Sequence, residues 1–401
     1  MKKIQVCIMF FLSLLIGLSV QAQEKIRFWD SPQYGGNSFN RLPPDEAYFL
    51  ALKHYGATWV RLSYDKWQPQ QRDFLIGNAD QYKGLMPEDL SILKQTVDKA
   101  AKTGLKVVIV PLSLPQMRWQ QNNKNVFDGR IWEDKKHWQQ TAQFWKDMAR
   151  EFKDNGAVIA YNIINEPAPE KQSDLKEHDS LENMQRWYAN NKGTSRDLIL
   201  FYETIIAAIR EVDPYTPIMV DSGWYAAADS FTYWLQALKD PNILYSFHMY
   251  EPYAATSAPN LKRKQPYDYP GTVPFFEQKE YWNAARVAQY LQPTFDWMRK
   301  NKIDPNRMVA GEFGCVRQLD GCQIYLEDVL KIFDQQKIHW AFYSFREDSW
   351  DAMDYELGKA KVSWRYWQNI ENNTRDTLER RSTAEFSPIS LRLKNIEVYG
   401  E

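Results

Sequence analysis

Apolar residues in this chain gather into short runs separated by amphipathic or turn-rich stretches. Short runs rich in Ile, Val and aromatic residues read as buried strands. The most informative covers 158–164 and ends abruptly in Asn165, Glu166 and Pro167. Proline cannot donate to a ladder, so Pro167 stops that strand. Further strands are predicted at 57–63, 106–112, 218–221, 243–250, 308–314 and 338–345, with a short first strand at 25–29. Gly35-Gly36-Asn37-Ser38 reads as a turn-rich loop. Helices are predicted at about 45–55, 87–103, 135–154, 195–212, 229–239, 280–300 and 323–336. Pro87 at the first turn and Gly104 just past the end punctuate the second of these.

Eight strands alternating with helices predict a (β/α)8 barrel, an α/β fold with one catalytic domain over 23–365. An open doubly wound sheet is the alternative, but the Gly-rich phosphate loop that usually follows its first strand is absent. Residues 366–401 read as a final helix and strap, with Phe386-Ser387-Pro388 docking on the barrel. The long loops at about 167–195 and 251–280 leave an open cleft and a closed pocket equally available.

The first 22 residues have the form of a secretory signal peptide: Lys2 and Lys3, an apolar run, then a small-residue cleavage site at Val20-Gln21-Ala22. The expected location is therefore secreted or periplasmic, with a retained membrane anchor as the alternative. No second long apolar run follows, so no membrane span is expected in the mature chain, and a monomer is expected. The formal net charge is -1 and no basic run occurs, which argues against nucleic acid as a partner. Beyond the leader two cysteines remain, Cys315 and Cys322. Export permits a disulfide between them, and the spacing leaves the pairing open. No His-x-x-x-His or Cys-x-x-Cys pair is present, so neither a metal site nor an organic cofactor is expected. The chain has 16 Trp and 23 Tyr. Trp67, Trp119, Trp132, Trp224 and Trp350 fall in predicted loops, where indoles can stack on the apolar faces of sugar rings.

In a barrel the carboxyl ends of the strands surround one site. Those ends carry Arg61, Asn165, Glu166, His248, Tyr250 and Glu312. Two glutamates on the fourth and seventh strands could face each other across the mouth, as glycoside hydrolysis requires. Glu312 lies between apolar residues, where a charge is expensive without a partner.

With these residues assembled, the chain resembles glycoside hydrolase family 5, the cellulase-like family of clan A. The matching signatures are Val60-Arg61-Leu62, Asn165-Glu166-Pro167, His248-Met249-Tyr250 and Gly311-Glu312-Phe313-Gly314, spread over about residues 25–360. The resemblance implies retaining hydrolysis of a β-linked glucan, mannan or related glycan. Glu166 would be the general acid/base and Glu312 the nucleophile, their carboxyls about 5 Å apart. Arg61 and Tyr250 would keep Glu312 ionised, Asn165 would bind the sugar 2-hydroxyl, and His248 would position Glu166 or the sugar. Two departures leave the sugar open. The loop after the third strand, Val110 to Pro115, lacks the family's frequent aspartate or histidine. The eighth strand places Tyr343 or Phe345 where a floor tryptophan is usual, with Trp340 earlier. Trp350, with Arg346, Glu347 and Asp348, and the Arg118-Trp119-Gln120 and Arg130-Ile131-Trp132 segments are candidate replacements, or else ion pairs and loop packing. The rival reading is a non-catalytic carbohydrate-binding barrel.

Overall fold

The computed structural model describes residues 25–372 and 378–395. Eight parallel strands close into a barrel. In chain order they are β1 (Tyr34–Ser38), β2 (Trp59–Leu62), β3 (Lys106–Ile109), β4 (Val158–Asn162), β5 (Ile218–Asp221), β6 (Ile243–Met249), β7 (Met308–Phe313) and β8 (His339–Phe342). Each pairs with its sequence neighbours, and β1 closes the ring on β8 through Tyr34 opposite Trp340 and Gly36 opposite Phe342. This is the (β/α)8 fold. The leader read at 1–22 lies outside the described residues. Among the described residues no helix is long and apolar enough to cross a membrane.

The first strand is not where the apolar pattern placed it. Residues 25–30 are helical, and Trp29 is fully buried. Its ring meets those of Trp59 at 5.2 Å and His339 at 4.9 Å, and its indole N–H donates to the Ile159 carbonyl. Trp59, Ile159 and His339 all sit at or near the amino ends of their strands. The segment therefore plugs the bottom of the barrel. The strand itself is the Gly35-Gly36 segment that reads as a turn. Glycine in a strand marks close approach of neighbouring atoms. A Cβ on Gly35 would be driven into the Trp59 carbonyl oxygen, and one on Gly36 would come within 3.0 Å of the Phe342 ring.

Inside the barrel the lower layers are apolar, built from Trp59, Val108, Ile159, Met219, Leu244 and Val309. The upper layer is polar: Asn37, Arg61, Asn162, Asp221, His248 and Glu312 are all buried. Helices Glu46–His54, Pro87–Lys102, Trp138–Phe152, Leu198–Arg210, Ala284–Lys300 and Cys322–Gln336 flank the strands. The expected helix at 229–239 is only a single turn, Ser230–Tyr233. The chain turns extended at Trp234, whose ring packs on Phe231 and Trp297.

Two long loops carry structure that the pattern did not predict. The loop after β4 contains a helix, Leu181–Asn191, and the loop after β6 contains an antiparallel hairpin, Gly271–Phe275 with Gln278–Trp282. Cys315 and Cys322 are joined in a disulfide. Near the carboxyl end Trp364–Glu371 is helical across the boundary drawn at 365. Phe386 is buried, with ring contacts to Tyr55 at 4.8 Å and Phe342 at 5.7 Å.

Because Gly35 has no room for a side chain, Gly35→Ala is expected to destabilise the protein by about 1–3 kcal/mol, the usual range for overpacking. Urea denaturation of the variant beside the native protein measures this.

Candidate active site

The polar layer is organised by Arg61, which has no exposed surface. Guanidinium presents donors in a fixed planar fork. Arg61 donates to five side chains: Asn162 at 2.8 Å, Asn37 at 3.2 Å, Glu312 at 2.6 Å, Asn165 at 2.8 Å and Asp221 at 3.2 Å. Two of these partners are carboxylates, which compensate its buried charge.

Beyond β4 the chain runs through buried Ile163 and Ile164, and the Asn165 N–H donates to the Pro111 carbonyl at 3.2 Å. Glu166 then takes a left-handed conformation, φ 50°. Its N–H donates to Asp221 Oδ2 at 3.2 Å, so one carboxylate holds both this turn and Arg61. The Glu166 carboxyl shares a 2.9 Å hydrogen bond with His248 Nδ1. A third of its side chain remains open to the cavity. Burial by the surrounding walls, with Asp221 adding repulsion and Arg61 opposing, still pushes its pKa from the usual 4.5 to about 7.

Glu312 is set differently. Burial also raises its pKa, but His248, Arg61 and a hydrogen bond from Tyr250 oppose the rise. Arg61 occupies Oε1 at 2.6 Å and the Tyr250 hydroxyl occupies Oε2 at 2.8 Å. Donors on both oxygens thus favour the charged form of Glu312, whereas among the described residues neither oxygen of Glu166 receives a hydrogen bond from a cation. Burial pushes the pKa of His248 down, with Glu312 and Asp221 opposing. One oxygen of each glutamate and one His248 nitrogen lie within 4.8 Å of one another. These are also the atoms that a metal would use. With both Glu312 oxygens already accepting protein hydrogen bonds and a guanidinium alongside, the set suits proton transfer and nucleophilic attack.

Around this trio opens a cavity of about 1070 Å³. Asn165, Glu166, His248, Tyr250, Glu312, Trp119, Tyr343 and Trp350 line it, while Arg61 lies beneath the floor. Trp132 does not reach it. It is buried with its ring 5.1 Å from Phe201, a core contact that corrects the expectation of a sugar-stacking role. Trp67 is core as well, packed on Phe74, and Phe345 packs on Tyr48. Trp340 stacks on Tyr34. Tyr343 is therefore the eighth-strand aromatic facing the cavity. Arg118 and Arg130 pair with Asp73, Asp80 and Asp128 and pin the third-strand loop. Arg346 pairs with Glu356, and Asp348 accepts from the Arg41 and Leu42 backbone. Glu347 does face the cavity, accepting from Tyr343 at 2.7 Å and from Lys66 at 2.5 Å.

Several residues escaped the sequence reading. Asp221 had the same signal as Glu166, a carboxylate ending an apolar run, and Asn162 is an amide inside one. Asn37 was hidden by its two glycines, and Lys66 gave no signal because only the fold brings it to Glu347. Trp224, one of the loop tryptophans read from the sequence, does line the cavity, from a left-handed run of Trp224, Tyr225 and Ala226, φ 46°, 59° and 62°. Buried Glu170 secures that run by accepting from the Trp224 N–H at 3.1 Å.

The profile of the family Cellulase (glycosyl hydrolase family 5) matches residues 21–349. A β-xylosidase of Phanerodontia chrysosporium is 22% identical over 282 residues, 67% of this chain and 51% of the relative, so the chain spans about half that protein's length. Endoglucanase C of Acetivibrio thermocellus is 24% identical over 309 residues, 71% of this chain and 80% of the relative. Among solved structures, endoglucanase Cel5A of Thermotoga maritima shares the fold, with a TM-score of 0.58 at 16% identity over 81% of this chain and 92% of that one. The chain belongs to glycosyl hydrolase family 5, a family of glycoside hydrolases.

A carboxyl raised on folding binds its proton more tightly in the native than in the unfolded state. The resulting stabilisation is complete below the unfolded value near 4.5 and is lost as pH rises through about 7. Glu166→Gln removes that dependence. The variant is expected to melt above the native protein at pH 8, with the difference shrinking toward pH 4, as thermal scans at the two pH values report.

Proposed function

We propose that the protein is a retaining β-glycosidase acting on a β-linked glycan such as a glucan or mannan. One observation carries this: two glutamates within 4.8 Å, with cation and hydroxyl donors on Glu312 and a raised pKa on Glu166. Retaining enzymes hold their carboxyls about 5–5.5 Å apart, whereas inverting enzymes leave about 6.5–9.5 Å for a water. The names of the sequence relatives, a β-xylosidase and an endoglucanase, support β-linked substrates.

In the first step a Glu312 oxygen attacks the anomeric carbon. The bond to the leaving oxygen breaks, and that oxygen takes the Glu166 proton. Glu166, now ionised, removes a proton from water. The resulting hydroxide attacks the same carbon and releases Glu312, restoring both groups and the original anomeric configuration. Tyr250 and Arg61 hold Glu312 in place for attack, and His248 aims the Glu166 carboxyl. Asn165, fixed by Arg61 through its oxygen, keeps its amide N–H₂ for a sugar hydroxyl. The leader-like first 22 residues support export, to the periplasm or outside the cell.

Glu166→Gln is expected to lower hydrolysis of an aryl β-glycoside about 10²–10⁴-fold, with azide rescuing the variant when the leaving group is good. Glu312→Gln should lose at least as much, without that rescue. In the native protein the basic limb of kcat/KM should fall with an apparent pKa near 7, the value set on Glu166. Near-normal turnover in either variant would overturn the assignment. Glycan binding without turnover by the native protein would favour the non-catalytic reading.

A further inference from the structure

The cavity has two ends. At one, Tyr343 touches Phe39 and Trp350, and Lys66 lies over Trp119. The other is built by the loops after β4 and β6. Glu166 belongs to this second end: it opens the loop after β4, and its carboxyl is held at 2.9 Å by His248 of β6.

Three rings meet at this second end. His178, in a left-handed turn of φ 56°, places its ring 4.7 Å from Phe275 and 6.2 Å from Tyr290, and Phe275 and Tyr290 are 6.0 Å apart. Fully buried Trp282 backs them, 5.1 Å from Phe275 and 5.6 Å from Tyr290. His178, Phe275 and Tyr290 line the catalytic cavity on one side and a second hollow of about 980 Å³ on the other. They are the partition between the two.

The partition is anchored on every side. His178 Nε2 lies 3.4 Å from Glu251 and Nδ1 lies 3.9 Å from Asp229. Burial alone would discharge this imidazole, but the negative charges of Asp229 and Glu251 overcome it and lift the pKa to about 10. Asp229 also accepts from Tyr290 at 3.2 Å. Lys176 reaches the hairpin tip at Glu277, 2.7 Å away.

A glycosidase acid protonates the oxygen of the departing sugar, so the chain beyond that oxygen runs toward the acid's side of the site. That direction is the reducing end of the substrate. We propose that the wall of His178, Phe275 and Tyr290 closes the leaving-group end of the cavity, so that the protein cuts β-linked chains one or two sugars from the reducing end rather than internally. This inference rests on the retaining-glycosidase reading with Glu166 as the acid. The hollow behind the wall, flanked by exposed Leu181 and Tyr281, is the path that a longer leaving group would take if the wall were absent.

The test uses cello- and manno-oligosaccharides carrying oxygen-18 at the reducing end, with products sorted by mass. The native protein is expected to release the label on fragments of one or two sugars, and to lower the viscosity of a soluble β-glucan or mannan slowly relative to the reducing ends formed. Phe275→Ala is expected to shift the label to longer fragments and to raise the polymer-to-aryl-glycoside ratio of kcat/KM at least tenfold. Label on long fragments from the native protein overturns the inference, as does a folded Phe275→Ala with native products and ratio. Should Phe275→Ala fail to fold, the native label distribution decides alone. If the native protein turns over neither aryl glycosides nor oligosaccharides, it is the glycosidase reading that fails.

Discussion

The mouth of this barrel depends on one buried guanidinium. Arg61 sits on β2 and reaches side chains on β1, β4, β5 and β7, together with the segment following β4. Removing such a charge from water costs several kcal/mol unless its donors find acceptors. The layer above the apolar core is therefore composed of acceptors: two carboxylates and three amides. Each partner is oriented by the same planar fork, so the positions of Glu312 and Asn165 are linked. A lysine there would carry the charge without the fork's fixed directions.

Asp221 extends this control to Glu166. One of its oxygens accepts from Arg61 and from the Glu166 N–H, fixing the turn from which the Glu166 side chain projects. Its charge also raises the pKa of Glu166, while the Arg61 charge restrains that of Glu312. Burial raises both glutamates, but the environments of the two diverge because the cation and hydroxyl donors that oppose the rise are placed on Glu312. Divergence of this kind is what lets a pair of carboxyls divide acid and nucleophile roles.

The barrel was legible in the sequence because buried parallel strands are continuous apolar runs, and seven of the eight stand out that way. β1 did not, because its fit against Trp59 and Phe342 requires glycines, which in isolation signal a turn. Trp29 misled for the converse reason: an apolar segment can fill a barrel's base without pairing. The strand-end glutamates, His248, Tyr250 and Arg61 could be found because a barrel brings strand ends together. Trp132 shows the limit of reading aromatics in loops, since local sequence does not distinguish a ring that faces a cavity from one packed under a helix. Partnerships such as Lys66 with Glu347, 281 positions apart, exist only in the folded chain.

The Trp29 plug has a practical consequence. Because residues 25–30 are seated among the amino ends of the strands, the polypeptide enters the domain on the side away from the catalytic mouth. A tether or fusion partner joined ahead of the plug therefore emerges at the rear of the molecule. Immobilised through that end, the domain would present its mouth outward, toward a substrate too large to diffuse.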